Sequence, residues 1–163
     1  MPIHKKDWEK VTTLACNLAN AAEEDNEKLS CRYRKRMHQL LDNLIEKYGE
    51  LPSLLATKAD YAENIREKLA LLRKSYAIAL KANDQANLTW VSSSIAEIYI
   101  DELKSLRSGR RWISLLEKHL QDYSDDEERK NFQRMQKQLW GMVKENGASS
   151  NQVGRSYRQT PSG

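Results

Sequence analysis

Cysteine is too scarce in this chain for disulfides to hold it together. Cys16 and Cys31 are its only two, they form no CxxC pair, and two thiols do not make a disulfide framework. Buried or half-buried free thiols are the expectation. Histidine is equally sparse. His4, His38 and His119 lie far apart without the HxxxH or ExxH spacing that puts two ligands on one helix face, so no metal site is expected. Six scattered glycines cannot form a phosphate-cradling loop. There is no GxSxG elbow, and neither cysteine has a local activator. No apolar run approaches the roughly 18 residues needed to span a bilayer. The segment from Met1 to Lys10 is charged and has no apolar core, unlike a secretory signal.

Together these absences argue against a disulfide-stapled secreted domain, a helix-borne metal centre, P-loop nucleotide chemistry and a membrane span. A carboxylate pair assembled across the fold is the one catalytic route that spacing leaves open. The expectation is a non-enzymatic protein with no catalytic residues, no metal and no cofactor, and a cytoplasmic location by default. Neither sign of charge dominates. Lys and Arg number 27 against 23 Asp and Glu, the net charge is +4 and the pI is near 9.0. That balance accommodates an acidic protein partner or a nucleic-acid backbone without demanding either.

What the chain does have is helical periodicity. Its 163 residues are 39% apolar and 31% charged, with a mean hydropathy of −0.80, a composition suited to a helix-rich domain with solvated outer faces. Apolar residues recur at spacings of three and four. Met37, Leu40, Leu41, Leu44, Ile45 and Tyr48 form one stripe. Leu69, Leu72, Tyr76, Ala79 and Leu80 form a second, and Trp112, Leu115, Leu116, Leu120 and Tyr123 a third. Leu44 and Ala79 are 35 positions apart, and Leu80 and Leu116 are 36 apart.

The pattern predicts an all-α fold of about seven helices. Helix one covers about Lys5 to Glu23, helix two about Glu27 to Tyr48 with Gly49 ending it, and a short helix three starts at Pro52 and runs through Glu63. Helix four covers about Ile65 to Ala82. Helix five, the most apolar, covers about Ala86 to Leu106 and ends at a break at Ser108-Gly109. Helix six runs from Arg110 to Tyr123. Ser124 and Glu127 read as a capping box for helix seven, which ends near Glu145. Residues 1–146 read as a single helical domain. Residues 147–163 have almost nothing to bury and read as a disordered C-terminal tail.

Residues 71–87, LLRKSYAIALKANDQAN, resemble the second helix of a tetratricopeptide repeat and the turn after it. Leu72, Tyr76 and Ala79 stand where that family places a small or apolar residue, an aromatic and an alanine. Asn83-Asp84 stands at its Asn-Pro turn. In the same register Trp90 takes the large position of the next helix, and Ser94 a position the family keeps small. Ser93 and Glu97 depart from the family's Leu and Tyr, and Asp84 from its proline. The resemblance implies three stacked antiparallel hairpins plus a closing helix, working as a scaffold that binds other macromolecules.

Two surfaces are candidates for that binding. If Trp90 marks the register, Leu88, Val91, Ile95 and Ile98 line a concave groove for an apolar or amphipathic segment. Alternatively, helix five is apolar all round because it is covered on every side. The second candidate is basic. Arg32, Arg34, Lys35 and Arg36 load the start of helix two, with Arg32 and Arg36 on one side and Arg34 pointing elsewhere. Arg107, Arg110 and Arg111 flank the Ser108-Gly109 break. These clusters are either solvated faces paired with Glu27 and other acids or a patch for carboxylates or phosphates, which the planar guanidinium grips in two places.

The function expected is therefore a protein-binding module, such as a small adaptor, a chaperone or a bacterial immunity- or antitoxin-type inhibitor. Its partner would be a protein with an acidic or amphipathic segment. The alternative is a nucleic-acid-binding helical protein acting through the two arginine clusters, although only Tyr33 and Trp112 are interleaved with the cations. A third reading is self-association through helix five and the closing helix.

Overall fold

The computed structural model describes residues 2–156, with side chains as far as Lys144. The described residues form seven α-helices and contain no strand, so the fold is all-α. The helices are α1 (Lys5–Glu23), α2 (Glu27–Tyr48), α3 (Pro52–Asp60), α4 (Ile65–Ala82), α5 (Gln85–Glu97), α6 (Leu106–Asp122) and α7 (Asp126–Ser156). A π-helical turn, Ile98–Glu102, continues α5. Instead of the single domain expected over 1–146, the chain divides into two compact units, Met1–Asn87 and Leu88–Gly163.

In the first unit α1 pairs with α2 and α3 pairs with α4, while α2 also touches α3. Local chemistry fixes the helix ends. The Asn26 side chain accepts from the Leu29 N–H at 3.1 Å and starts α2. Gly49, at φ 83°, ends it. Pro52 opens α3, where its missing N–H costs nothing. Asn64 accepts from the Glu67 N–H at 2.9 Å to cap α4, and Asn83 closes that helix in the left-handed region at φ 53°. The core is the predicted stripe meeting its neighbours: Val11 of α1, Met37, Leu41 and Leu44 of α2, and Leu54 of α3 are all buried. Buried Ser75 donates to the Pro52 carbonyl oxygen at 2.8 Å and ties α4 to the start of α3. Leu80, counted in the stripe of α4, is instead 57% exposed.

A polar clamp joins α1 to α2. Asp7, buried in the first turn of α1, accepts from Lys10 Nζ at 2.7 Å, Lys47 Nζ at 2.7 Å and the Tyr48 hydroxyl at 2.8 Å. The Lys10 hydrogen bond, followed by those of Lys47 and Tyr48, holds the Asp7 carboxyl well below the usual carboxylate range. A depressed folded-state pKa means the clamp stabilises the fold above the unfolded carboxyl's pKa and fades as pH falls below it. Asp7→Asn should therefore lower the urea midpoint at pH 7. The gap from the parent protein should close as pH drops below the ordinary Asp value of 3.8. Equal midpoints at pH 7 would show that the clamp contributes nothing.

In the second unit α6 pairs with α7, and the π-helical turn touches both. The core comprises Ala96, Ile100, Ile113, Leu116, Leu120, Met135 and Leu139, with Leu106, Trp112, Phe132 and Met142 packed against it. Helix α7 is therefore the partner of α6, and the expected contact between helices five and six is carried by the π-helical turn.

Four boundaries differ from the sequence reading, the first being α3, which ends at Asp60 and not at Glu63. Ser108-Gly109 does not break the chain. The break lies at Leu103 to Ser105, where Lys104 adopts φ 49°, and α6 has already begun by Leu106. Gly109 sits inside α6 because the helix passes so close to its neighbours that a Cβ there would meet Ile100 Cγ1 at 2.9 Å and Leu139 Cδ2 at 3.2 Å. The cap of α7 is Asp125 rather than Ser124, its Oδ1 accepting from the N–H groups of Glu127 at 3.0 Å and Glu128 at 3.1 Å. Finally, α7 passes the expected end near Glu145. Of the expected tail, 147–156 belongs to α7, and 157–163 lies outside the described residues.

Candidate interaction surfaces

The groove expected from helix five is absent. Leu88, Val91, Ile95 and Ile98 are each exposed by 2% or less, so they are core residues and present no apolar floor to a partner. Their neighbours Thr89, Ser92, Ser93 and Ala96 are buried as well. The segment is apolar all round because it is covered, which was the alternative reading of the same pattern. Ser92 avoids an orphan hydroxyl by donating back to the Leu88 carbonyl at 2.7 Å.

Trp90 reverses the expectation in the other direction. Placed by the repeat resemblance at a large packing position, it is 42% exposed. Its ring meets Tyr123 edge-on at 6.1 Å, and its Nε1 donates to Asp125 Oδ2 at 3.1 Å. The Glu128 backbone N–H, then the Trp90 indole, hold the Asp125 carboxyl below its ordinary value. Trp90→Ala should therefore cost about 1–2 kcal/mol, less than truncation of a fully buried aromatic, as read from denaturant melts. A loss above about 4 kcal/mol would place it in the core after all.

Beside this contact a polar seam links α5 and its π-helical extension to α7. Arg134 bridges Glu97 at 2.5 Å and Asp101 at 3.1 Å. Glu97, a departure from the tetratricopeptide pattern, thus serves as an anchor for α7. Burial pushes the Glu128 carboxyl up, opposed by hydrogen bonds from Ser93 and Asn131, and its Oε2 has no hydrogen-bond partner among the described residues.

The basic residues lie where a partner can reach them. Arg32, Arg34, Lys35 and Arg36 are all exposed in the first half of α2. Helical spacing adds Lys28 to the side shared by Arg32, Lys35 and Arg36, and Lys28 is exposed too. No ion pair to any of these five cations occurs among the described residues. Three acids of this unit pair with other lysines, Asp7 with Lys10 and Lys47, Asp42 with Lys58, and Glu50 with Lys74, whereas Glu27 and Glu63 line one hollow with Arg34 and Lys35. The solvated-face reading thus keeps counter-charges nearby, although none of them closes to an ion pair with the cluster among the described residues. Cys31 lies in the same stretch and, like Cys16, is exposed rather than buried as expected.

Arg107, Arg110 and Arg111 are exposed on the first turns of α6, in the second unit. No acid stands in the first turn of that helix, so its own first turn offers these cations no carboxylate at the positive end of the dipole.

One feature the sequence reading missed is an open groove of about 670 Å³ between α6 and α7. Ile113, Leu139 and Val143 supply apolar lining, and Trp140 stands at its edge, 66% exposed. Trp140 is the most exposed large apolar side chain among the described residues. The signal for it was available, because Trp140 falls outside the stripe of Phe132, Met135, Leu139 and Met142 that α7 turns to the core.

The histidines occupy structural positions. His38 Nε2 lies 2.8 Å from the Tyr61 carbonyl oxygen, which makes it an interfacial imidazole. His119 is buried in the second unit, and burial lowers its pKa. No group of three His, Cys, Asp or Glu side chains that could hold a metal occurs among the described residues, and no helix there is long and apolar enough to cross a membrane. Compared with protein-family models, curated proteins and solved structures, the chain matches none.

Proposed function

We propose that this protein is a non-enzymatic binding module, an adaptor, chaperone or immunity-type inhibitor, that holds an acidic partner protein on the basic face of α2. The observation that carries this reading is the row Lys28, Arg32, Lys35 and Arg36, exposed on one face without ion pairs among the described residues. Concentrating like charge on one helix face costs stability. A partner that supplies carboxylates offsets that cost on binding, and arginine suits the task because it can take a carboxylate through two parallel hydrogen bonds.

Nucleic acid is the second reading, since phosphates would satisfy the same cations. It is less well supported because the two aromatics among the arginines, Tyr33 and Trp112, are both half-buried and offer no open stacking platform.

Affinity capture from the native host, followed by mass spectrometry, separates the two. The intact protein should retain an acidic protein that the double variant Arg32→Glu with Arg36→Glu does not. Recovery of nucleic acid, with binding that falls steeply with salt, would replace the first reading by the second. Equal capture by parent and variant would remove α2 from both.

A further inference from the structure

We infer that the α6–α7 groove receives an amphipathic helix of acidic character from a partner protein. The inference rests on the binding-module reading but uses a different surface from the face of α2. Helices α6 and α7 are joined by three residues and run antiparallel, so Ile113 faces Leu139 and Glu117 lies across from Gln136. Two antiparallel rods leave a straight trough between them, and a third helix fills such a trough with residues at i, i+3, i+4 and i+7.

The trough has an anchor. Trp140 exposes two thirds of its surface beside Val143 and Leu139, and partly apolar tryptophans of this kind dominate the binding energy of helix-in-groove interfaces.

Charge identifies the occupant. Arg110 and Lys137 line the trough against the single acid Glu117. Lys144, one turn beyond Trp140 and also exposed, lies on the Lys137 side of α7. None of these cations takes part in an ion pair among the described residues, so the lining carries two cations to one acid, with Lys144 a further cation beyond its end. Two copies of the chain facing each other here would oppose like charges, whereas an acidic amphipathic helix would complement both the apolar floor and the basic rim.

The test titrates the full chain with a synthetic amphipathic helix carrying leucine anchors flanked by glutamates, and with the same peptide bearing lysines in their place. The indole N–H resonances of Trp8, Trp90, Trp112 and Trp140 are followed by NMR, with Trp140 assigned by its loss in Trp140→Phe. The glutamate peptide should move the Trp140 resonance and bind about tenfold or more tightly than the lysine peptide at low salt. Trp140→Ala should weaken it about tenfold or more, with the helical circular dichroism unchanged.

Absence of binding, equal affinity for both peptides, or an undiminished affinity in Trp140→Ala would each overturn the inference. So would a concentration-dependent dimer in sedimentation that Trp140→Ala abolishes, since that would make a second copy the occupant. Loss of peptide affinity in Arg32→Glu with Arg36→Glu, but not in Trp140→Ala, would sink the groove and leave the α2 reading standing.

Discussion

Leu116→Ala is expected to reduce the unfolding free energy by about 3–4 kcal/mol. Leu116 is fully buried in α6, in the cluster it forms with Ile113, Leu120, Met135 and Leu139. Removing three carbons there forfeits their transfer free energy and leaves a cavity that rigid helices only partly close. Collapse is restricted on one side because α6 already approaches its neighbours at Gly109, where not even a methyl group has room beside Ile100. Domains of this size are stable by only about 5–15 kcal/mol, so the substitution should move a urea midpoint visibly while leaving the m-value unchanged. A control at Leu115, half-buried on the same helix, should cost less than half as much. If Leu116→Ala cost under about 1 kcal/mol, the side chain would not be in a packed core.

The positions of the helices were legible in the sequence because capping and periodicity act locally. Asn26, Gly49, Pro52, Asn64 and Asn83 each act within a few residues of themselves, and α1, α2 and α4 accordingly have the expected ends. The second unit was less legible because its boundaries answer to contacts distant in sequence. Gly109 reads as a helix breaker until one knows that Ile100 and Leu139 crowd it. Ser124 and Asp125 are both good caps, and the choice of Asp125 is reinforced by Trp90, 35 residues away, donating to its free oxygen.

The same limit explains the site residues. An apolar run such as Leu88 to Ile98 shows that a surface is buried, but not whether by the protein itself or by a partner. Only burial decides, and here it removes Leu88, Val91, Ile95 and Ile98 from the candidates. Charges are read more easily because exposed side chains need no specific neighbour. Arg32 and Arg36 stand where helical spacing puts them, and what the structure adds is that both are exposed without an ion pair among the described residues. Trp140 escaped because it belongs to no stripe, which is what marks it as a candidate contact.

If the face of α2 holds an acidic partner, reversing two of its charges should act mainly on encounter. Arg32→Glu with Arg36→Glu changes the local charge by four units on an exposed surface, where the field reaches the approaching partner but each contact remains solvated. The association rate for the captured partner, measured by stopped flow at about 20 mM salt, should fall roughly 10- to 100-fold, and the dissociation rate should rise by much less. Raising the salt to about 150 mM shortens the screening length to about 8 Å, and the two proteins should then associate at nearly the same rate. Stability should not fall, because neither arginine has an intramolecular ion pair among the described residues to lose and the reversal relieves like charge along the face. A variant that associates as fast as the parent at low salt would show that the partner does not approach this face. Slower association that persisted unchanged at high salt would point to lost packing rather than lost steering.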